Sequence, residues 1–105
     1  RVLFRSNRLL CRLDKTDFTN EEAMEICKRT NALLIDVRTP EEYREKHIEG
    51  AVNIPVYEID NIKNEIIDSN KVILVYCKTG KRSKIVKQIL TQNGYKNVYT
   101  FSAIL

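Results

Sequence analysis

The residues best suited to chemistry lie between Cys77 and Ser83, where a cysteine is followed by cations, a glycine and a serine. Five apolar residues precede this stretch at positions 72–76, and such a run is typical of a strand buried on both faces. Apolar residues then recur at the spacing of an amphipathic helix, in Ile85, Val86, Ile89 and Leu90. A cysteine therefore ends a buried strand, and a short loop leads from it into a helix. Open α/β sheets bind their ligands at this position.

Several features of the loop favour a reactive thiolate. A free thiol, with a pKa of about 8.5, is mostly protonated at neutral pH and needs stabilisation as an anion. The N–H groups and positive dipole at the start of a helix supply it, as do the charges of Lys78, Lys81 and Arg82. Gly80 can adopt a positive φ, which lets the loop amides face an anion. Cys77 is thus predicted to be a nucleophile acting on a small anion. The alternative, a cysteine that only packs in the core, stays open at this point.

Two motifs in this sequence resemble those of the rhodanese family. The family's active-site loop reads Cys-x-x-Gly-x-Arg after a strand, as Cys77 to Arg82 does here. Upstream, the family carries Asp-x-Arg, an acidic and an aromatic residue, and His-Ile-x-Gly-Ala. This chain has them in the same order, as Asp36-Val37-Arg38, Glu42-Tyr43 and His47-Ile48-Glu49-Gly50-Ala51. The resemblance covers approximately residues 18–101, with lysine at position 46 where the family often has glycine.

The resemblance implies a thiosulfate sulfurtransferase without a cofactor. Cys77 would accept a sulfane sulfur from thiosulfate or a similar small anionic donor. The resulting persulfide would pass the sulfur to a thiol, to cyanide or to a carrier protein. The donor is expected to bind the loop, in Lys78, Thr79, Gly80, Lys81, Arg82 and Ser83. The resemblance makes Asp36, Arg38 and His47 structural supports of the site, not reacting groups.

Two other functions are weighed against this one. Many rhodanese-like domains act as binding or regulatory modules of larger proteins, although inactive examples commonly lose the cysteine that is kept here. Cysteine-dependent phosphatases and arsenate reductases on related folds place five residues between cysteine and arginine. Here four residues separate Cys77 from Arg82, and Ser83 stands at the position that the longer loop requires. The sulfurtransferase is therefore the leading hypothesis.

The rest of the chain predicts an alternation of helices and strands. Capping boxes begin helices at Thr19 and Thr39, with Glu22 and Glu42 as their third residues. On the first of these helices, Cys27 falls on the packing face. Buried strands are predicted at positions 32–37, 72–76 and 98–101, with a short edge strand at 52–54. The isoleucines at 59, 62 and 66 have helical spacing, and the pair Asn93-Gly94 is typical of a helix end.

This alternation predicts a three-layer α/β/α fold with a central, mostly parallel sheet of about five strands. Residues 1–15 form either a basic N-terminal tail or a first strand near positions 9–13. Residues 16–105 form the rhodanese-like domain. The chain ends without the two glycines and final helix usual in the family, so a domain truncated at its C-terminal helix is expected. Because the sequence does not begin with methionine, we expect a trimmed or excised piece.

Composition excludes several classes of function. The chain has 105 residues, enough for one domain, and a net charge of +4. That excess lies within the first fifteen residues, so the neutral remainder gives no indication of a nucleic-acid partner. No apolar run is long enough to cross a membrane. Three widely separated cysteines argue against a disulfide framework and favour the cytoplasm, and one histidine without partners at ligand spacing argues against a metal site.

Overall fold

A computed structural model describes residues 19–62, 66 and 68–105, and its centre is a four-stranded parallel sheet. The strands are β1 (Leu33–Asp36), β2 (Val52–Asn53), β3 (Val72–Cys77) and β4 (Asn97–Ser102), in the spatial order β2-β1-β3-β4. All three strand pairs are parallel. The predicted parallel sheet is therefore confirmed, whereas the first strand predicted near positions 9–13 lies outside the described residues.

Helices cover the sheet and begin where their capping residues predict. Helix α1 (Asn20–Thr30) and helix α2 (Pro40–Glu45) each start with a complete capping box, in which the threonine hydroxyl and the glutamate bond to each other's backbone N–H. Helix α1 ends at Asn31, whose left-handed backbone has a φ of 54°. Helix α3 (Lys81–Gln92) follows β3 and ends near Gly94, which has a φ of +93°. None of the helices in the described ranges is long and apolar enough to cross a membrane.

Two apolar clusters, one on each face of the sheet, give the predicted three layers. The alternation of side chains along β3 sends Ile73, Val75 and Cys77 to one cluster and Leu74 and Tyr76 to the other. The first cluster also holds residues of α3, and the second holds residues of α1 and Tyr43 of α2. Cys77 therefore lies on the face of the sheet that α3 covers.

The segment between β2 and β3 differs in part from its prediction. It begins as a 3-10 helix (Val56–Asn61) directly after Pro55, and residues 63–65 and 67 lie outside the described part. The predicted common face is confirmed, because the isoleucines at 59, 62 and 66 are all buried in the cluster beneath α3. Strand β2 is short and lies at the sheet edge, as the following proline indicates.

Parallel strands bring their carboxyl ends to one edge of the sheet, and this edge carries the segment from Cys77 to Ser83, named the reactive loop for its predicted nucleophile. In the register of the sheet, Asp36 of β1 lies opposite Tyr76 of β3, and Cys77 lies opposite Ser102 of β4. The turn after β1 therefore lies beside the loop after β3. Residues far apart in sequence can meet there, across the gap between two neighbouring strands.

Candidate active site

The loop after β3 is short and turns on a glycine. Strand β3 ends at Cys77 and α3 begins at Lys81, so only residues 78–80 lie between them. Gly80 has a φ of +85°, which confirms the positive φ predicted from the sequence. Lys81, Arg82 and Ser83 belong to the first turn of α3, although the sequence analysis counted them as part of the loop. The backbone N–H groups of that first turn have no partner within the helix and are available to an anion.

The Cys77 sulfur lies inside this turn and accepts hydrogen bonds there. The Gly80 N–H donates to Sγ over 3.0 Å. The thiol in turn donates to Oγ of Ser83 over 3.6 Å, and the Ser83 hydroxyl donates to the Gly80 carbonyl oxygen over 3.0 Å. Ser83 and Cys77 are both fully buried, with exposed fractions of 0%. The structure thus joins three of the loop residues that the sequence singled out.

These contacts lower the pKa of the Cys77 thiol. Burial raises the pKa, because a buried thiolate is deprived of water. The N–H and hydroxyl of Ser83, together with the N–H groups of Gly80 and Arg82, stabilise the anion and outweigh that effect. The pKa therefore lies below the ordinary value of a thiol. A nucleophilic cysteine needs such an environment, whereas one that only packs has its pKa raised.

The three cations of the loop have different surroundings. Lys78 and Lys81 are exposed, and so is Thr79. The Arg82 guanidinium instead donates to both carboxylate oxygens of Glu42, at 2.9 and 3.3 Å. Arg82 therefore faces the sulfur with its backbone N–H and faces Glu42 with its side chain.

Glu42 is a site residue that the sequence did not predict. The hydrogen bond from Arg82, followed by that from the Thr39 N–H, lowers the pKa of Glu42 to about 2. Its capping box with Thr39 is recognisable in the sequence, but that pattern indicates only a helix start. No local signal reveals a contact with an arginine forty residues away.

Asp36 and Arg38 form a buried ion pair beside the loop. Nη2 of Arg38 lies 2.7 Å from Oδ2 of Asp36, and the two side chains are 6% and 0% exposed. The Arg38 guanidinium also donates to the carbonyl oxygen of Lys46 over 2.6 Å and lies 5.9 Å from the ring centre of Tyr76. The pair thus connects β1, β3 and the end of α2. Its contacts are those of a structural support, and that role stays a prediction.

His47 lies just beyond the end of α2 and packs back against Tyr43 of that helix. Its ring stacks on Tyr43 with the ring centres 3.8 Å apart, and Nδ1 lies 2.6 Å from the Tyr43 carbonyl oxygen. Because a carbonyl only accepts, this contact places the ring proton on Nδ1. Among the hydrogen bonds of the described residues, none joins His47 to Cys77. At position 46, where the family often has glycine, Lys46 has an extended backbone with a φ of −165°, which any residue adopts.

Two open clefts flank these elements. The first has a volume of about 310 Å³, adjoins the reactive loop and is lined by Arg38, Glu42, Glu45, Lys46, Lys78 and Leu105. The second, of about 200 Å³, lies between α1, β1 and the turn at Gly50, and Cys27 lines it. Burial raises the pKa of the Cys27 thiol, in agreement with a packing role. In the ranges that the structure covers, no group of three or more His, Cys, Asp or Glu side chains could hold a metal ion.

Comparison with known proteins finds relatives that are named as sulfurtransferases. The thiosulfate sulfurtransferase PspE of Escherichia coli (strain K12) is 43% identical over 65 residues, which are 61% of this chain and 62% of that protein. The match thus spans less than two thirds of PspE. The thiosulfate sulfurtransferase GlpE of Coxiella burnetii (strain RSA 331 / Henzerling II) is 35% identical over 79 residues, or 75% of this chain and 73% of that protein.

Comparison with solved structures also finds a rhodanese. A rhodanese with anions from E. coli superimposes with a TM-score of 0.65 and 38% sequence identity, covering 69% of this chain and 86% of that one. The profile of the rhodanese-like domain matches residues 19–102, a range that runs from the cap of α1 to the end of β4 and includes the whole reactive loop. On the evidence of this match, the chain belongs to the family of rhodanese-like domains.

Proposed function

We propose that this protein is a sulfurtransferase that carries a sulfane sulfur on Cys77. One observation carries the proposal: the Cys77 sulfur accepts the Gly80 N–H at 3.0 Å inside a turn whose donors lower its pKa. Two relatives at 43% and 35% identity bear the name thiosulfate sulfurtransferase, which supports thiosulfate as the donor. The donor is thus a small sulfur anion of this kind.

The reaction proceeds in two displacements. The Cys77 thiolate attacks the outer sulfur of thiosulfate, a new S–S bond forms, and sulfite leaves with the electron pair of the broken bond. In the second displacement, an acceptor thiolate or cyanide attacks the outer sulfur of the persulfide and releases the Cys77 thiolate. Each step moves a sulfane sulfur without net oxidation, so no redox cofactor is required, and each nucleophile is already an anion, so no general base is required.

Several groups of the loop are suited to these steps. The N–H groups of Gly80, Arg82 and Ser83 stabilise negative charge at the sulfur in the free enzyme and, after the first step, on the persulfide. Lys78 and Lys81 are exposed beside them and attract the anionic donor. Because Cys77 is fully buried, a small donor reaches it more readily than a bulky one.

Intact-protein mass spectrometry tests the proposal directly. The protein is measured before and after incubation with excess thiosulfate, beside a Cys77→Ser variant. We expect the wild type to gain one sulfur atom that cyanide or a thiol removes, and the variant to gain none. If the wild type gains no sulfur while its Cys77 still reacts with a small alkylating agent, the sulfurtransferase proposal fails and a binding role becomes the leading explanation.

A further inference from the structure

The ion pair between Arg82 and Glu42 joins the first turn of α3 to α2, beside the Cys77 site. Three cations belong to this loop and to the first turn of α3, namely Lys78, Lys81 and Arg82. Of these three, Arg82 has a carboxylate partner in the described part of the chain, and that partner is Glu42. The neighbouring Arg38 already has Asp36 as its partner and contributes little net charge.

The position of Glu42 is fixed independently of Arg82. Its Oε1 accepts the Thr39 N–H at 3.0 Å and the Thr39 hydroxyl at 3.1 Å, as part of the capping box of α2. The carboxylate is therefore already in place when the Arg82 guanidinium meets it. The two side chains are 36% and 35% exposed, so the pair is partly withdrawn from solvent, which screens it less than a pair on the open surface.

The first turn of α3 differs in charge from the first turns of α1 and α2. Helices α1 and α2 both carry glutamates in their first turns, which is the arrangement that the helix dipole favours. Helix α3 has no acidic residue in its first turn and has basic residues there instead. Glu42 thus brings to the start of α3, from a different element, the negative charge that the helix itself lacks.

We infer that Glu42 is a specificity-determining residue that weakens the preference of the Cys77 site for anionic reagents by neutralising Arg82. It deepens the proposed function, on which it rests, because the charge at the site decides how a dianion such as thiosulfate competes with neutral or singly charged sulfur donors. With Glu42 ionised, the loop presents the charges of Lys78 and Lys81; without it, the loop presents Arg82 as well.

Alkylation of Cys77 measures this charge without requiring any sulfur transfer. Iodoacetate and iodoacetamide are nearly equal in size, but only iodoacetate is an anion. The same Cys77 thiolate attacks the CH2 carbon of either reagent and displaces iodide, so the ratio of the two rate constants cancels changes in the pKa or accessibility of Cys77 and reports the local potential. Mass spectrometry of the peptide that contains Cys77 separates its modification from that of other cysteines.

The variant Glu42→Gln removes the charge and keeps the shape, because glutamine also completes a capping box. Its matched control is Glu22→Gln, which makes the same change in the capping box of α1. The double variant Glu42→Gln with Arg82→Gln removes both charges of the pair. All proteins are compared at one pH, at low salt and again near 1 M salt.

Removal of one charge several ångströms from the sulfur should raise the ratio of the iodoacetate rate to the iodoacetamide rate by roughly threefold at low salt. The effect should nearly vanish near 1 M salt, where the screening length is only about 3 Å. Glu22→Gln should keep the wild-type ratio, and the double variant should return to it. A purely structural role of Glu42 would change both rates together and leave the ratio unaltered.

An unchanged or lower ratio in Glu42→Gln overturns the inference, as does a raised ratio that persists in the double variant. These outcomes are distinct from failure of the proposed function, which appears as the absence of a persulfide in the wild type. The inference on charge and the proposal on sulfur transfer therefore fail in different experiments.

Discussion

In the described part of the chain, the Ser83 hydroxyl is the only side-chain group that is hydrogen-bonded to the Cys77 sulfur, and replacement of Ser83 by alanine removes it. The Ser83 hydroxyl lies 3.6 Å from Sγ and stabilises the thiolate when the thiol ionises. Alanine keeps the backbone N–H at this position, which also lowers the pKa of Cys77. The Gly80 carbonyl oxygen that bonds to the hydroxyl keeps another donor, the Lys84 N–H at 3.1 Å. Ser83→Ala therefore tests the contribution of the hydroxyl alone.

The expected change in the pKa of Cys77 follows from the strength of a hydrogen bond to an anion. Such bonds contribute about 1.5–3 kcal/mol, and the long distance of 3.6 Å favours the lower end of that range. A loss of about 1.4 kcal/mol lowers the thiolate fraction about tenfold at any pH well below the pKa. Since the contact lowers the pKa of Cys77 in the native protein, its loss shifts the rise of reactivity to higher pH.

The assay is the rate of Cys77 alkylation by iodoacetamide as a function of pH. At a pH below the rise we expect about a tenfold slower rate in Ser83→Ala, and nearly equal rates at a pH above it. Thr79→Ala removes an exposed hydroxyl from the same loop and should leave the pH profile unchanged. The reasoning is refuted if Ser83→Ala, with an unchanged urea midpoint, reacts with the wild-type pH profile.

Four further substitutions test the residues that support the loop. Gly80→Ala puts a side chain at a φ of +85°, at a cost of about 1–2 kcal/mol, and we expect slower alkylation of Cys77. The control Gly94→Ala has a φ of +93° and open space around it, so it should lower stability without slowing the alkylation. Asp36→Asn leaves a buried arginine without its counter-charge and should lower the free energy of unfolding in urea by about 3 kcal/mol; a loss below about 1 kcal/mol would contradict the account of this pair. His47→Gln should keep the pH profile of alkylation, whereas a tenfold loss of rate would identify the histidine as a base.

The sequence by itself determined the local structure around Cys77. An apolar run, a cysteine, a glycine three residues later and a helical pattern predict a strand, a tight turn and a helix, because each feature depends on neighbours within a few positions. The two capping boxes and the positive φ of Gly80 are confirmed for the same reason. The parallel sheet follows from the alternation of strands and helices, which leaves few other arrangements.

Only the tertiary structure decided which distant residues complete the site. The spacing of apolar residues does not specify that β1 lies next to β3, and that neighbourhood brings Glu42 to Arg82. The sequence also grouped Arg82 with two exposed lysines as equivalent cations, although its guanidinium has a carboxylate partner and theirs do not within the described residues. A contact between residues forty positions apart depends on strand order and side-chain direction, and neither is written in a local pattern. The fold therefore decides which distant side chains lie near Cys77, while the sequence by itself predicts that Cys77 is the nucleophile.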